Sequence, residues 1–140
     1  MTFKEWFEKR YKDRDPLSIS AIDCSSNKIS SLQGLEVLVN LEVLNISYNK
    51  ITSLKGIEGL VNLKKLYYYS NDMTSLQGIE SLVNLEGLYY SNNNLNDLKV
   101  FMPVLYLPNL KNFYFNRKYH DITDFKKRLK YISNISNILK

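Results

Sequence analysis

The chain has one cysteine, Cys24, and one histidine, His120, among its 140 residues. A single cysteine excludes an internal disulfide, so nothing in the sequence asks for an oxidising compartment. No apolar run approaches the roughly 18 residues of a membrane-spanning helix. The N-terminus, MTFKEWFEKRYKDRD, is charged throughout and lacks the apolar centre of a secretory leader. Cytosol or nucleus is therefore the expected location. The same scarcity argues against catalysis. There is no cluster with metal-ligand spacing, no phosphate-binding loop and no convergent pair of carboxylates. The chain is expected to be no enzyme and to need neither cofactor nor metal.

Tyrosine is what the chain has in excess: eleven, against six phenylalanines and one tryptophan, with Tyr67, Tyr68 and Tyr69 consecutive. The other proportions are ordinary for a globular domain, at 44% apolar and 24% charged. One domain is expected at this length, burying roughly 68–70% of the surface of the unfolded chain.

Four segments align with one another: ISAIDCSSNKISSLQGLEVLVN from Ile19, LEVLNISYNKITSLKGIEGLVN from Leu41, LKKLYYYSNDMTSLQGIESLVN from Leu63 and LEGLYYSNNNLNDLKVFMPVLYLPN from Leu85. The first three are 22 residues long; the fourth is 25, with its extra residues around Met102 to Leu107. A partial fifth, LKNFYFNRKYH, starts at Leu110. Asn27, Asn49, Asn71 and Asn93 recur in step, as do Leu32, Leu54, Leu76 and Leu98. A period of 20–29 residues with L-x-x-L-x-L-x-x-N-x-L resembles the leucine-rich repeat. The 22-residue form with S-L-x-G-I-E-x-L-x-N is similar to the repeats of the type-one protein phosphatase regulatory subunit and of bacterial internalins. The resemblance spans residues 19–116. It fades at the end, where Lys118 takes the place of the ladder asparagine and Val100 that of Gly34, Gly56 and Gly78.

The expected fold is an α/β leucine-rich-repeat solenoid with a curved parallel sheet on its concave face and short helical or 3₁₀ turns on its convex face. No repeat buries its apolar side alone, so stacking must close the core. Residues 19–116 would hold about four and a half repeats, in which Leu54, Ile57 and Leu60 cover the convex side. Glu36, Glu58 and Glu80 fall near the starts of those turns, where negative charge suits a helix dipole. Residues 1–18 are expected to form an N-terminal cap helix, with Thr2 and Glu5 at capping-box spacing and Phe3, Trp6, Phe7 and Tyr11 as its apolar stripe. Residues 117–140 are expected to form a C-terminal cap helix, with Ile122, Phe125, Leu129, Ile132 and Leu139 on one face. With both ends covered, a complete, stand-alone and monomeric chain is expected.

Register assigns the tyrosines. Strand side chains alternate, so Tyr68 shares a core slot with Cys24, Ile46, Tyr90 and Phe115. Tyr67 then faces outward in a column with Asp23, Asn45, Tyr89 and Tyr114. Tyr69 flanks it in a column with Ser25, Ser47, Ser91 and Asn116. At the strand spacing of about 4.7–4.9 Å, Tyr67, Tyr89 and Tyr114 could stack as a ladder roughly 10 Å long. Tyr48 and Arg117 would sit at the rim. Cross-strand stacking alone favours such residues, but rigid amphipathic rings on a concave face are also what interfaces use as anchors.

Charge is uneven. Residues 111–140 carry eight basic and two acidic groups, a net +6, whereas residues 19–110 carry six and eight, a net −2. The excess lies chiefly on Lys126, Lys127, Arg128 and Lys130. The function expected is a non-catalytic protein–protein interaction module. Its partner would be a protein held on the concave face by Asn45, Tyr67, Tyr69, Tyr89, Tyr114, Asp23, Ser47, Ser91, Asn112 and Arg117. The resemblance implies the same mode of binding, since both similar families bind proteins that way. The alternative is a basic C-terminal cap that docks on an acidic partner, nucleic acid or anionic membrane; nucleic acid and membrane are the less favoured partners.

Overall fold

The computed structural model describes residues 1–91, 97–115 and 117–138. Asn93, Asn116 and Leu139, singled out above, lie outside them. Each repeat contributes one short strand: β1 (Ala21–Asp23), β2 (Val43–Asn45), β3 (Lys65–Tyr69), β4 (Gly87–Ser91) and β5 (Asn112–Phe115). These five lie in chain order and pair in parallel. The register is that of the sequence repeat: Ile22 pairs with Leu44 and Leu44 with Leu66.

Parallel strands need a crossover, and the leucine spacing builds it. Leu35 N–H donates to Leu32 O, Leu38 N–H to Leu35 O and Leu41 N–H to Leu38 O, at 2.9, 3.0 and 3.0 Å. The same staircase runs from Leu54 to Leu63 and from Leu76 to Leu85. A three-residue step is the 3₁₀ period, in which side chains at i and i+3 eclipse. Every third residue therefore faces the core, and all of these are buried. Only Leu35–Val37 and Ile79–Ser81 close into 3₁₀ helices; the second repeat makes the same bonds as successive turns.

The glutamates act differently from the expected dipole effect. Gly34, Gly56 and Gly78 hold φ of 96°, 106° and 102°, which suits glycine alone. Glu36, Glu58 and Glu80 each accept the N–H of the glycine two residues earlier, at 2.8, 2.8 and 3.0 Å. Three-residue turns have little macrodipole to complement; the carboxylate instead satisfies one named donor. In the fourth repeat the added residues form a longer 3₁₀ stretch, Leu98–Tyr106, which buries Phe101 and Val104. Val100 lies within it, so no glycine turn is required there.

Two asparagine ladders tie the repeats together. Asn49 Oδ1 accepts from Asn27 N and Ile29 N, while its Nδ2 donates to the carbonyls of Cys24, Ile46 and Ser47. Asn71 repeats the pattern toward Ile51 N and Ile46 O. At the other end of the strands Asn40 donates Nδ2 to Leu17 O, just ahead of the first repeat, and Asn62, Asn84 and Asn109 each donate to a carbonyl of the preceding repeat, at 2.7–3.1 Å.

At the N-terminal end, α1 (Phe3–Arg10) has the expected capping box: Glu5 N–H donates to Thr2 Oγ1 at 3.2 Å and Thr2 N–H to Glu5 Oε2 at 2.8 Å. It buries Phe3, Trp6 and Phe7 and docks through Phe3 N–H to Ser31 O at 2.8 Å. A 3₁₀ turn, Pro16–Ser18, leads into β1.

The C-terminal end corrects the expectation of a helix from residue 117. The chain first reverses at Arg117, φ 62°, into β6 (Lys118–His120), which pairs antiparallel with β5. The free edge of β5 is paired by the short β6, and the apolar end is covered by α2 (Ile122–Ile138). Phe125 packs on Phe113 at 4.8 Å and on Phe101 at 5.8 Å, and Lys126 Nζ donates to Leu107 O at 2.6 Å.

Candidate functional site: the concave face

The core slot of the strands takes Cys24, Ile46, Tyr68, Tyr90 and Phe115, all buried. Alternation turns their neighbours to the concave side. One column crosses all six strands: Asp23, Asn45, Tyr67, Tyr89, Tyr114 and Tyr119. Its aromatic half carries the rings expected there, in a different arrangement.

Tyr67 and Tyr89 stack with centroids 4.4 Å apart and planes 8° from parallel. The ladder stops there. Tyr114 turns its ring to Tyr69, edge-on at 6.2 Å and 81°, and to Tyr119 at 5.1 Å and 73°. Gly87 accounts for the change. Its register partners are Lys65 and Asn112, yet a Cβ built on Gly87 would lie 2.8 Å from Tyr89 Cε2 and 2.9 Å from its Oη. The Tyr89 ring therefore lies back over Gly87 on its own strand, and Tyr67 stacks beside it from β3. Beside Tyr69, β4 carries the small Ser91, which lets Tyr69 and Tyr114 meet across one intervening strand.

Burial pushes the Tyr69 phenol up to about 12, with Tyr114, Tyr119, Tyr67 and Tyr89 adding to the shift. Burial also raises Tyr89, helped by Tyr67. Both hydroxyls stay neutral donors at physiological pH.

The polar half of the column is drawn into the scaffold. Asp23 accepts from Ser25 N at 2.9 Å and from Asn45 Nδ2 at 3.2 Å, and Asn45 Oδ1 accepts from Ser47 N at 3.0 Å. Hydrogen bonds from Ser25, more than offsetting burial, hold the Asp23 carboxyl below its usual range. Ser47 departs from the expected outward column. It is 2% exposed, and its Oγ accepts from Tyr69 N at 3.1 Å, so it braces the next strand. Ser91 is half-buried, and Asn112 and Arg117 are exposed. Arg117 shares the left-handed position of Ser26, Tyr48 and Ser70, so its positive φ belongs to the repeat geometry.

Tyr119, 69% exposed beside Tyr114, is the aromatic residue that sequence reasoning missed. It lies on β6, outside the repeat; the alternation of Lys118, Tyr119 and His120 after a broken ladder position was its only sign. His120 is structural: Nε2 is 2.9 Å from Phe115 O, and the ring packs on Phe113, Phe115 and Phe125. Cys24 donates to Asn45 O at 3.4 Å, and its thiol is pushed up to about 12 by burial, with Asp23 adding to the shift. Among the described residues no group of three or more His, Cys, Asp or Glu is placed to hold a metal ion.

A recess of about 300 Å³ opens beside Tyr67, lined by Ala21, Ile22, Asp23, Val43 and Asn45. A larger one, about 700 Å³, lies between the turns of the first two repeats. Its carboxylates, Glu36 and Glu58, already cap Gly34 and Gly56, and it carries no convergent chemistry.

Residues 21–60 match the family model of leucine-rich repeats in two copies. With the parallel register and the asparagine ladder, that match decides the class. The chain is a leucine-rich-repeat protein. Its fold is similar to that of an internalin (inlF) from Listeria monocytogenes, at 31% identity and TM-score 0.67, over 73% of this chain and 29% of that one. Internalin C2 (inlC2) from the same organism is 30% identical, with TM-score 0.62 over 71% of this leucine-rich-repeat chain and 45% of its own. A chain of the Drosophila melanogaster SNF/U2A′ complex shares the fold at 23% identity and TM-score 0.58, over 66% and 55% of the two chains. The leucine-rich-repeat protein thus spans under two thirds of the length of each. No curated protein matches its sequence. Among the described residues no helix is long and apolar enough to cross a membrane.

Proposed function

We propose that this leucine-rich-repeat chain is a non-catalytic module that holds a protein partner on its concave face. The observation that carries this reading is the half-buried aromatic cluster of Tyr67, Tyr69, Tyr89 and Tyr114, extended by the exposed Tyr119, on a hydrogen-bonded sheet. Tyrosines fixed in this way lose little conformational entropy on binding, which is why such rings dominate interface energies. Asn112 and Arg117 would supply its polar rim. Asp23, Asn45 and Ser47 serve the scaffold first, and only Asp23 and Asn45 present atoms to a ligand.

The alternative site is the basic C-terminal end. Lys127, Arg128 and Lys130 are exposed on α2, but Lys126 is engaged with Leu107 O. Affinity capture from a native lysate tests the concave reading. Wild type should retain a protein that the Tyr67→Ala/Tyr89→Ala variant loses and a Lys127→Ala/Arg128→Ala/Lys130→Ala variant keeps. The opposite pattern would move the site to α2, and a steep loss with added salt would mark a nucleic-acid partner there.

A further inference from the structure

The concave column has a period of its own. Asp23, Tyr67 and Tyr114 stand on β1, β3 and β5, two strands apart at each step. Two inter-strand spacings are about 9.4–9.8 Å. One turn of a polyproline II helix is three residues at 3.1 Å, or roughly 9.3 Å. A segment in that conformation, laid across the strands, would present every third residue to these three side chains in turn.

The chemistry at each point agrees. Tyr67 belongs to the parallel Tyr67–Tyr89 pair, whose half-buried rings offer apolar surface against which a pyrrolidine ring can pack. The edge-on Tyr69–Tyr114 and Tyr114–Tyr119 contacts raise walls around the second point. Neutral phenol hydroxyls can donate to the carbonyls of a helix that forms no internal hydrogen bonds. At the third point the 300 Å³ recess has apolar walls from Ala21 and Val43 and the Asp23 carboxylate at its edge. That suits a long basic side chain, whose stem is apolar and whose head is charged. Among the described residues, the strand positions that face the concave side carry only one other charge, Lys65. A phosphate backbone would find almost nothing there to neutralise it.

We propose that the concave face takes an extended, proline-rich polypeptide segment with one basic residue, spaced basic-x-x-Pro-x-x-Pro, with the basic head group at Asp23 and the prolines at Tyr67 and Tyr114. This rests on the protein-binding reading above and specifies its partner.

The full chain should be titrated by calorimetry and by ¹⁵N NMR with four probes. These are a capped Arg-x-x-Pro-x-x-Pro peptide, the same peptide with Glu for Arg, an isomer with the second proline moved by one position, and an oligothymidylate. The first should bind, shifting resonances of Tyr67, Tyr89 and Tyr114, and should exceed the Glu peptide by about two- to fivefold, the scale of an exposed ion pair. Asp23→Asn keeps an oxygen for Ser25 N–H and should remove that preference. Tyr67→Ala should weaken the first peptide about tenfold or more. Equal affinity for the first three probes, a preference that survives Asp23→Asn, or binding of the oligothymidylate alone would overturn the proposal. If these peptides fail while lysate capture still depends on Tyr67 and Tyr89, only the proline-rich partner is lost. If capture ignores the tyrosines, the protein-binding reading falls as well.

Discussion

Replacing Asn49 by alanine removes five hydrogen bonds, but the five are not equivalent. Three end on carbonyls that keep another donor. Cys24 O also accepts from Asn27 Nδ2 at 3.1 Å, Ile46 O from Asn71 Nδ2 at 2.9 Å, and Ser47 O from Ser26 N at 3.1 Å. The other two are the N–H groups of Asn27 and Ile29, which donate to Asn49 Oδ1 at 3.1 and 2.9 Å. Ile29 is buried and Asn27 half-buried, so water reaches the second more readily than the first. An orphaned buried donor costs about 1–3 kcal/mol. One full and one partial penalty put Asn49→Ala at about 2–4 kcal/mol. Asn40→Ala is the internal control, because it loses one exposed bond, to Leu17 O, and should cost at most about 1 kcal/mol. Urea unfolding followed by circular dichroism measures both, with equal slopes required for the comparison. An Asn49→Ala midpoint at or above that of Asn40→Ala would refute the ladder as the element that couples repeats.

Tyr68→Ala should cost about 3–5 kcal/mol by emptying a core slot, whereas Tyr67→Ala should cost about 1 kcal/mol or less in lost stacking; equal losses by urea titration would contradict the register. Gly87→Ala should lift the Tyr89 ring from β4, visible by NMR as loss of the ring-current shift between Tyr67 and Tyr89, with unfolding little changed; an unshifted spectrum would mean the ring has room already. Alkaline pH should destabilise the fold, because Cys24, Tyr68 and Tyr69 all have raised folded values. For Cys24 the contribution is complete below its ordinary value of 9.0 and lost as pH rises toward about 12, since the unfolded chain releases the proton first. Cys24→Ala should flatten that part of the melting-temperature profile, and an unchanged slope between pH 9 and pH 11 would refute the assignment.

The repeat made most of the scaffold readable in advance. A 22-residue recurrence carries the register with it, so Tyr68 is assigned inward and Tyr67 outward once Ile46 and Leu44 are placed. What escaped depends on neighbours that recurrence does not specify. The Tyr89 ring lies back over β4 because Gly87 lacks a Cβ, and Tyr114 turns to Tyr69 across Ser91; the first contact is within one strand and the second reaches over one, and register assigns a face without assigning a ring its direction. Alternation alone points Ser47 outward, yet a hydroxyl is small enough to turn back and accept from Tyr69 N. The second ladder, Asn40 to Asn109, was present in each L-V-N or L-P-N segment, but its cross-repeat bond appears only when the repeats stack. β6 is three residues in the region where the pattern fails, so periodicity had nothing to say about it. The candidate surface is the least readable part, because solvent-facing positions are not held to any spacing by the core.

Site-specific photo-crosslinking tests the concave site most directly. A photoreactive phenylalanine analogue is placed, one site at a time, at Tyr114, Tyr119, Tyr106 and Tyr131, the last two exposed on the Leu98–Tyr106 stretch and on α2. After irradiation with the captured partner, crosslinks should form at 114 and 119 and be absent at 106 and 131. Crosslinks at 131 with none at 114 or 119 would place the partner on the basic helix and contradict the concave site.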